Sequence, residues 1–442
     1  MSTLNLFVPC AAGVELYLAS EVAHITGLAP SAVQVLRGGV QIQATWREAL
    51  LLNLHSRLGM RVLIQLANAA YATEQDIYNA AFAVAWEMWF TPKESFRIDV
   101  TAQHSPLKSL NFAALRVKDA VADRFRQVAG TRPDVDTQRP AVRVHLHLSE
   151  KTQTLYLDTS GEPLFKRGWR EDKGDAPLKE TLASAMLAAS GWSMAPVYAP
   201  GEARPANIPL AGVEQGLPLY DPCCGSGTIA IEAAQIACRI AAGANRRFGF
   251  ERLRLFEPHV WQQLKAQALA QQCAPLAPVF ASDVAFRMVD FAKRNAQRAG
   301  VAHAIELRGG DALQRMPPGD KSGVILVNPP YGERIETAGV AGSSKPLHAA
   351  GTSSNPAQRQ GPSAYPTGRE SGQVQDGGDF FAQLASHWKK NYAGWRAWVL
   401  TPDLKLPGRM RLKESRKVPL WNGPIECRLF RFDLQAGSMR QR

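Results

Sequence analysis

Four short apolar runs in the second half of the chain each end on a small polar residue. LPLYD closes on Asp221, PVFASD on Asp283, IELRGGD on Asp311 and VILVN on Asn328. Stretches with helical spacing, at about 227 to 241, 257 to 272 and 286 to 299, separate the first three runs. Strands joined by crossover helices lie parallel, which predicts a doubly wound, mostly parallel α/β sheet. In such a sheet the carboxyl ends of the strands share one edge, and ligands bind there. Three carboxylates and one amide are therefore expected to converge.

The first strand runs directly into PCCGSGT, residues 222 to 228. Gly225 and Gly227 permit a tight turn and a close backbone approach to a ligand, while Pro222, Cys224 and Ser226 complete the loop ahead of a helix. The loop is not a G-x-S-x-G nucleophile elbow, and it lacks the G-K-[ST] of a phosphate-binding loop. In a dinucleotide fold the ribose-binding acid lies about 20 residues after the glycines. Here the next strand-end acid, Asp283, lies 62 residues beyond Asp221, with an extra helix between. A different nucleoside ligand fits better: S-adenosyl-L-methionine, with Asp283 on the ribose hydroxyls and Asp311 near the adenine amino group.

The fourth strand ends in Asn328, Pro329, Pro330 and Tyr331. Proline cannot donate to a sheet ladder and biases the residue before it away from the helical region, so the strand stops there and presents its last groups to a cleft. The exocyclic amino group of a nucleobase is a weak nucleophile because its lone pair is delocalised into the ring. Acceptance of its two hydrogens by the Asn328 side-chain oxygen and the Pro329 carbonyl favours a pyramidal nitrogen aimed at a sulfonium methyl. Tyr331 can stack on an unstacked base, a contact worth ~1–3 kcal/mol, comparable to the few kcal/mol that unstacking costs. The remaining affinity must come from elsewhere on the nucleic acid.

The first 160 residues read differently. LNLFV, the pair AVQVL and GVQIQA around Gly38-Gly39, and the helices VELYLASEVAHI and WREALLLNLHSRL make a small α/β unit. A second unit begins with SFRIDVTA and continues with a long helix, for which Phe112, Leu115, Val121, Phe125 and Val128 are the expected buried face. Its strand AVRVHLHL alternates Val142, Val144, Leu146 and Leu148 with Arg143, His145 and His147. That His-x-His pair has no further ligands nearby, so it reads as a polar row and no metal site is expected. The segment from 193 to 216 reads as a linker or insertion, and residues 336 to 376, almost free of large apolar groups, as a disordered insertion. A hairpin is expected around Asn422-Gly423.

The net charge of +12 comes from 51 Lys+Arg against 39 Asp+Glu, an excess that favours a polyanionic partner. Residues 1 to 180 are nearly neutral, with 20 basic against 19 acidic side chains, whereas 336 to 442 carry 16 against 8. The densest run holds Lys405, Arg409, Arg411, Lys413, Arg416 and Lys417, and it reads equally as a solvated loop or as a surface that tracks phosphates. Six cysteines without C-x-x-C spacing argue against a disulfide framework or a zinc module. No window is long and apolar enough for a membrane helix and the N-terminus lacks a signal-peptide pattern, so a cytoplasmic location is expected.

DPCCGSGTIAIEAA and VNPPYGER resemble the cofactor loop and catalytic motif of class I S-adenosylmethionine-dependent methyltransferases acting on planar amino groups. TLYLDTSGEPLFKRGWR, APLKETLASAMLAASGW and WNGPIECRLF resemble, more narrowly, the bacterial 23S rRNA guanine-N2 methyltransferases of the RlmL type. The resemblance implies a ferredoxin-like domain over 1–58, an α+β THUMP RNA-binding domain over 59–160 and a methyltransferase domain over 161–442. It also implies that Asp221, Gly225, Gly227, Asp283 and Asp311 meet the cofactor and that Asn328 to Tyr331 act on a guanine of 23S rRNA or of a large-subunit precursor; a monomer is expected. Cys223 departs from the family's frequent Met or Phe, and Asp283 stands where paired acids are often seen. With no second methyltransferase domain after residue 442, the fused form with two activities is not expected. NPPY also serves DNA adenine and protein glutamine methyltransferases. A THUMP-type tRNA guanine-N2 methyltransferase and a catalytically idle RNA-binding assembly factor are the competing readings.

Overall fold

The computed structural model describes residues 3–174, 177–195, 197, 210–329 and 377–435. The insertion at 336–376, more than half of the segment at 193–216, and Pro330 and Tyr331 lie outside those residues.

The first half is built on β1 (Leu4–Pro9), α1 (Glu15–Thr26), β2 (Gln34–Leu36), β3 (Gly39–Ala44), α2 (Trp46–His55), β4 (Leu63–Ala70), α3 (Glu74–Ala83), β5 (Phe96–Ala102), α4 (Leu110–Ala129), β6 (Val142–Leu148) and β7 (Thr152–Asp158). Its helices carry their own boundaries. Thr45 with Glu48 and Thr73 with Asp76 form capping boxes on α2 and α3, and Gly27 and Gly130 close α1 and α4 in the left-handed region. The strands form one sheet in the order β2-β3-β1-β4-β7-β6-β5, so the two units read from the sequence share it. The seam is narrow: β1 meets β4 only through Leu6 opposite Ile64 and Phe7 opposite Leu63.

The buried face of α4 differs from the expected one. Val121 and Phe125 are fully buried together with Ala113, Val117 and Ala120, but Phe112, Leu115 and Val128 are 49%, 48% and 45% exposed. The helix packs against α3 and β5, and close helix approach selects small side chains over bulky ones.

The second half comprises α5 (Glu180–Ala189), β8 (Leu219–Asp221), α6 (Thr228–Ala237), α7 (Pro258–Ala270), β9 (Val279–Asp283), α8 (Phe286–Arg298), β10 (Ile305–Gly309), β11 (Val324–Val327), α9 (Gly377–Asn391), β12 (Arg396–Thr401), α10 (Leu406–Met410), β13 (Arg416–Asn422) and β14 (Ile425–Asp433). The sheet order is β10-β9-β8-β11-β12-β14-β13. Its first five strands are parallel, and β14 runs antiparallel to both β12 and β13. The hairpin lies where the sequence places it, with Asn422 opposite Ile425 and Gly423 at φ 63°. Helix α6 stops at Ala237, short of the expected end near 241, because Arg239 takes φ 53° and the carbonyls of Ala237 and Cys238 accept N–H groups from Leu276 and Cys273.

A buried ion cluster joins the halves. The Glu232 carboxylate on α6 accepts from Arg57 at 3.0 Å, from Arg167 at 3.1 and 3.3 Å and from Ser184 at 2.6 Å. Burial pushes the Glu232 carboxyl up, and the guanidinium groups of Arg167 and Arg57 overcome that and hold it below its ordinary value.

Candidate cofactor and acceptor site

Strand β8 delivers Asp221 to the ligand edge fully buried, with its Oδ1 accepting the Cys223 N–H at 3.3 Å. The chain then turns through buried Pro222, and Cys224 N–H reaches the Ser282 carbonyl at 2.9 Å, tying the loop to β9. The two glycines have separate tasks. Gly225, at φ 51°, faces open space where a side chain would otherwise project, which leaves room for a ligand. Gly227, at φ 88°, sits so close to α8 that an added Cβ would lie 2.9 Å from the Ala292 Cβ.

Asp283 braces this loop. Its Oδ2 accepts the Gly225 N–H at 2.9 Å and its Oδ1 the Ala285 N–H at 2.9 Å. Asp311 follows β10 and accepts the Leu313 N–H at 2.9 Å. The charges of Asp283, Asp221 and Asp311 all act on the Cys223 thiol, adding to the burial that already pushes it up. The three carboxylates therefore converge, and among the described residues none of them has an ion-pair partner. Burial raises the Asp221 carboxyl well above the ordinary carboxylate range, and the neighbouring Asp283 charge raises it further.

Beside β8 in the sheet, β11 ends at Val327, and Asn328 and buried Pro329 follow. The Asn328 Oδ1 is buried without a hydrogen-bond partner among the described residues. A buried amide oxygen left unsatisfied costs about 1–3 kcal/mol, so its place beside the strand-end carboxylates calls for a physical explanation.

The chain also matches known domains in three stretches. Residues 5–63 match the RlmL ferredoxin-like domain, 71–158 the THUMP domain, and 167–197 with 206–349 an RMKL-like methyltransferase domain. The chain joins a ferredoxin-like domain, a THUMP domain and a methyltransferase domain. It is 32% identical over 99% of its length to a ribosomal RNA large subunit methyltransferase K/L of Shewanella baltica and 34% identical, also over 99%, to that of Shewanella loihica. It covers 54% of each of these, so the chain spans about half the length of the curated relatives it matches. In fold it is similar to SMU.472, a methyltransferase solved in complex with SAH (TM-score 0.77, 23% identity, 99% of this chain and 100% of that one). It is also similar to TrmN from Thermus thermophilus (TM-score 0.61, 20% identity, 98% and 99% covered).

Around the methyltransferase domain the remaining site residues fall into place unevenly. Lys405 precedes α10, which follows the ligand-edge end of β12, whereas Arg416 opens β13 opposite Arg431, itself level with Trp398 in the middle of β12. The basic run is thus spread along the sheet. Lys405, Arg411, Lys413 and Lys417 are exposed, Arg409 is held by Asp403 at 2.8 Å and lies over the Phe381 ring, and Arg416 donates to the Val197 carbonyl at 3.0 Å. In the THUMP domain, His145 lies 3.3 Å from buried Asp158 and His147 lies 3.0 Å from Thr101, so neither is a bare ligand.

Sequence reasoning missed the segment that touches the loop from the other side. Arg170 donates to Ser226 Oγ at 3.0 Å and to Thr228 Oγ1 at 2.8 Å, and Asn295 donates to the Ser226 carbonyl at 3.1 Å. The only signal in the sequence was the dense KRGWR block, which names no partner.

Proposed function

We propose that the chain methylates the exocyclic N2 amino group of a guanine in 23S rRNA, using S-adenosyl-L-methionine. The observation that carries this reading is the buried Oδ1 of Asn328, without a partner among the described residues and one strand away from the Asp221 loop. An acceptor oxygen in that place suits a donor N–H brought in by the substrate. The Pro329 carbonyl accepts the second hydrogen, and Tyr331 stacks on the extruded base.

The residues present fit the methyl donor. Open space at Gly225 leaves room for it, and in this reading Asp283 takes its ribose hydroxyls and Asp311 its adenine amino group. Burial without an ion-pair partner among the described residues disfavours negative charge on the Asp221 and Asp283 carboxyls, and a ligand that carries positive charge, as a sulfonium with an α-amino group does, relieves that. Bound there, the donor supplies an electrophilic methyl group. The protein's part is to hold the amino group still and to keep its hydrogens engaged. RNA docking falls to the THUMP domain and to Lys405, Arg409, Arg411, Lys413, Arg416 and Lys417, and the ribosomal RNA assignment draws on the names of the relatives.

Transfer of labelled methyl groups to 23S rRNA and to tRNA tests the proposal. The chain is expected to label 23S rRNA as N2-methylguanosine, and Asn328→Ala to lower the rate about 100-fold, the loss typical of removing one positioned polar partner. Label in tRNA alone supports the tRNA enzyme. Bound donor with no label in either RNA supports the idle factor.

A further inference from the structure

We infer that residues 167–172 act as a strap that sets the shape of the glycine loop, with Arg170 as a positioning residue for methyl-donor binding. The inference rests on the reading that the donor binds at that loop. A loop with two glycines at positive φ is soft, and a ligand that must freeze it binds more weakly than one that finds it already shaped.

The strap removes that softness from two directions. Arg170 spreads its donors over four acceptors: Glu180 Oε1 at 2.7 Å, Ser226 Oγ at 3.0 Å, Thr228 Oγ1 at 2.8 Å and the Leu178 carbonyl at 3.1 Å. Asn295, fully buried on α8, holds the Ser226 carbonyl at 3.1 Å and the Asp172 carbonyl at 2.8 Å with one amide nitrogen. Ser226, the residue between the two glycines, is thereby fixed by side chain and by backbone.

The strap is itself anchored at both ends. At one end Arg167 is bound to Glu232 and to the carbonyls of Arg57 at 2.8 Å and Leu164 at 3.0 Å. At the other, the Asp172 carboxylate takes Arg294 at 2.8 Å and Arg298 at 2.8 Å. Those guanidinium contacts hold the Asp172 carboxyl down at about 2, so the anchor stays ionised throughout the neutral range. The fixed segment lies directly after the THUMP domain, so the loop's shape is imposed from outside the methyltransferase sheet.

Calorimetric titration of the full chain with S-adenosylhomocysteine reads the effect. Arg170→Met is expected to raise the dissociation constant about tenfold, which is ~1.4 kcal/mol. This substitution also leaves Glu180 buried without its partner, so the double variant Arg170→Met with Glu180→Met serves as the control for folding. The double variant is expected to regain the wild-type melting temperature while keeping the weakened affinity. In methyl transfer, both variants are expected to raise KM for the donor with little change in kcat. Affinity within twofold of wild type in the double variant overturns the inference. Failure of the wild-type chain to bind S-adenosylhomocysteine overturns the donor reading itself, which separates the two failures.

Discussion

Asp221 and Asn328 end neighbouring strands with different electrical consequences. The amide of Asn328 does not titrate, whereas burial, reinforced by Asp283, raises the Asp221 carboxyl. A carboxyl with a higher pKa in the folded than in the unfolded state contributes stability that is present at low pH and lost as pH rises through the folded value. The melting temperature of the ligand-free chain is therefore expected to fall as pH rises above the ordinary carboxylate range, and Asp221→Asn to flatten that fall while abolishing S-adenosylhomocysteine binding. Scanning calorimetry over that rise in pH decides it, and identical slopes for the two proteins remove the argument. Residues of this kind were legible in the sequence because strand ends and prolines announce themselves locally. Arg170 was not, since its partner Ser226 lies 56 residues away and only the folded chain brings them together.

At the scale of elements, the turn between β8 and α6 divides its work between two glycines. A side chain in the left-handed region costs about 1–2 kcal/mol at either position. Gly227→Ala adds a contact with Ala292 that must be relieved, at about 1–3 kcal/mol more. Urea unfolding is expected to rank Gly227→Ala as the less stable variant, with partial recovery on adding Ala292→Gly. Gly225→Ala is expected to cost less stability and more donor affinity. Equal unfolding midpoints for the two single variants contradict this division. Hydrophobic spacing located most strands and helices, including the parallel core and the Asn422 hairpin. It did not show β4, whose LIQLANAA is rich in weak strand formers and becomes a strand through pairing with β1 and β7. It also misjudged α4, where large apolar residues drew attention that the buried alanines deserved.

For the molecule as a whole, the cluster at Glu232 joins what the sequence presents as separate domains. Glu232→Ala strands the Arg167 and Arg57 guanidinium groups in the interior, at a cost of about 3–5 kcal/mol. Unfolding followed by tryptophan fluorescence and by far-ultraviolet circular dichroism is expected to coincide in the wild-type chain and to separate in the variant. Coincident curves in Glu232→Ala refute the linking role. No local pattern shows this link, because Arg57 and Glu232 stand 175 residues apart. The shared sheet was equally invisible, its seam being two residue pairs wide. Because one seven-stranded slab spans both N-terminal domains and is clamped to the methyltransferase sheet, the assembly has the mechanics of a caliper with one jaw fixed. Under the proposed docking of RNA on that jaw, the substrate is measured before it is modified, and lengthening a helix between grip and target is expected to bring a different nucleotide to Asn328.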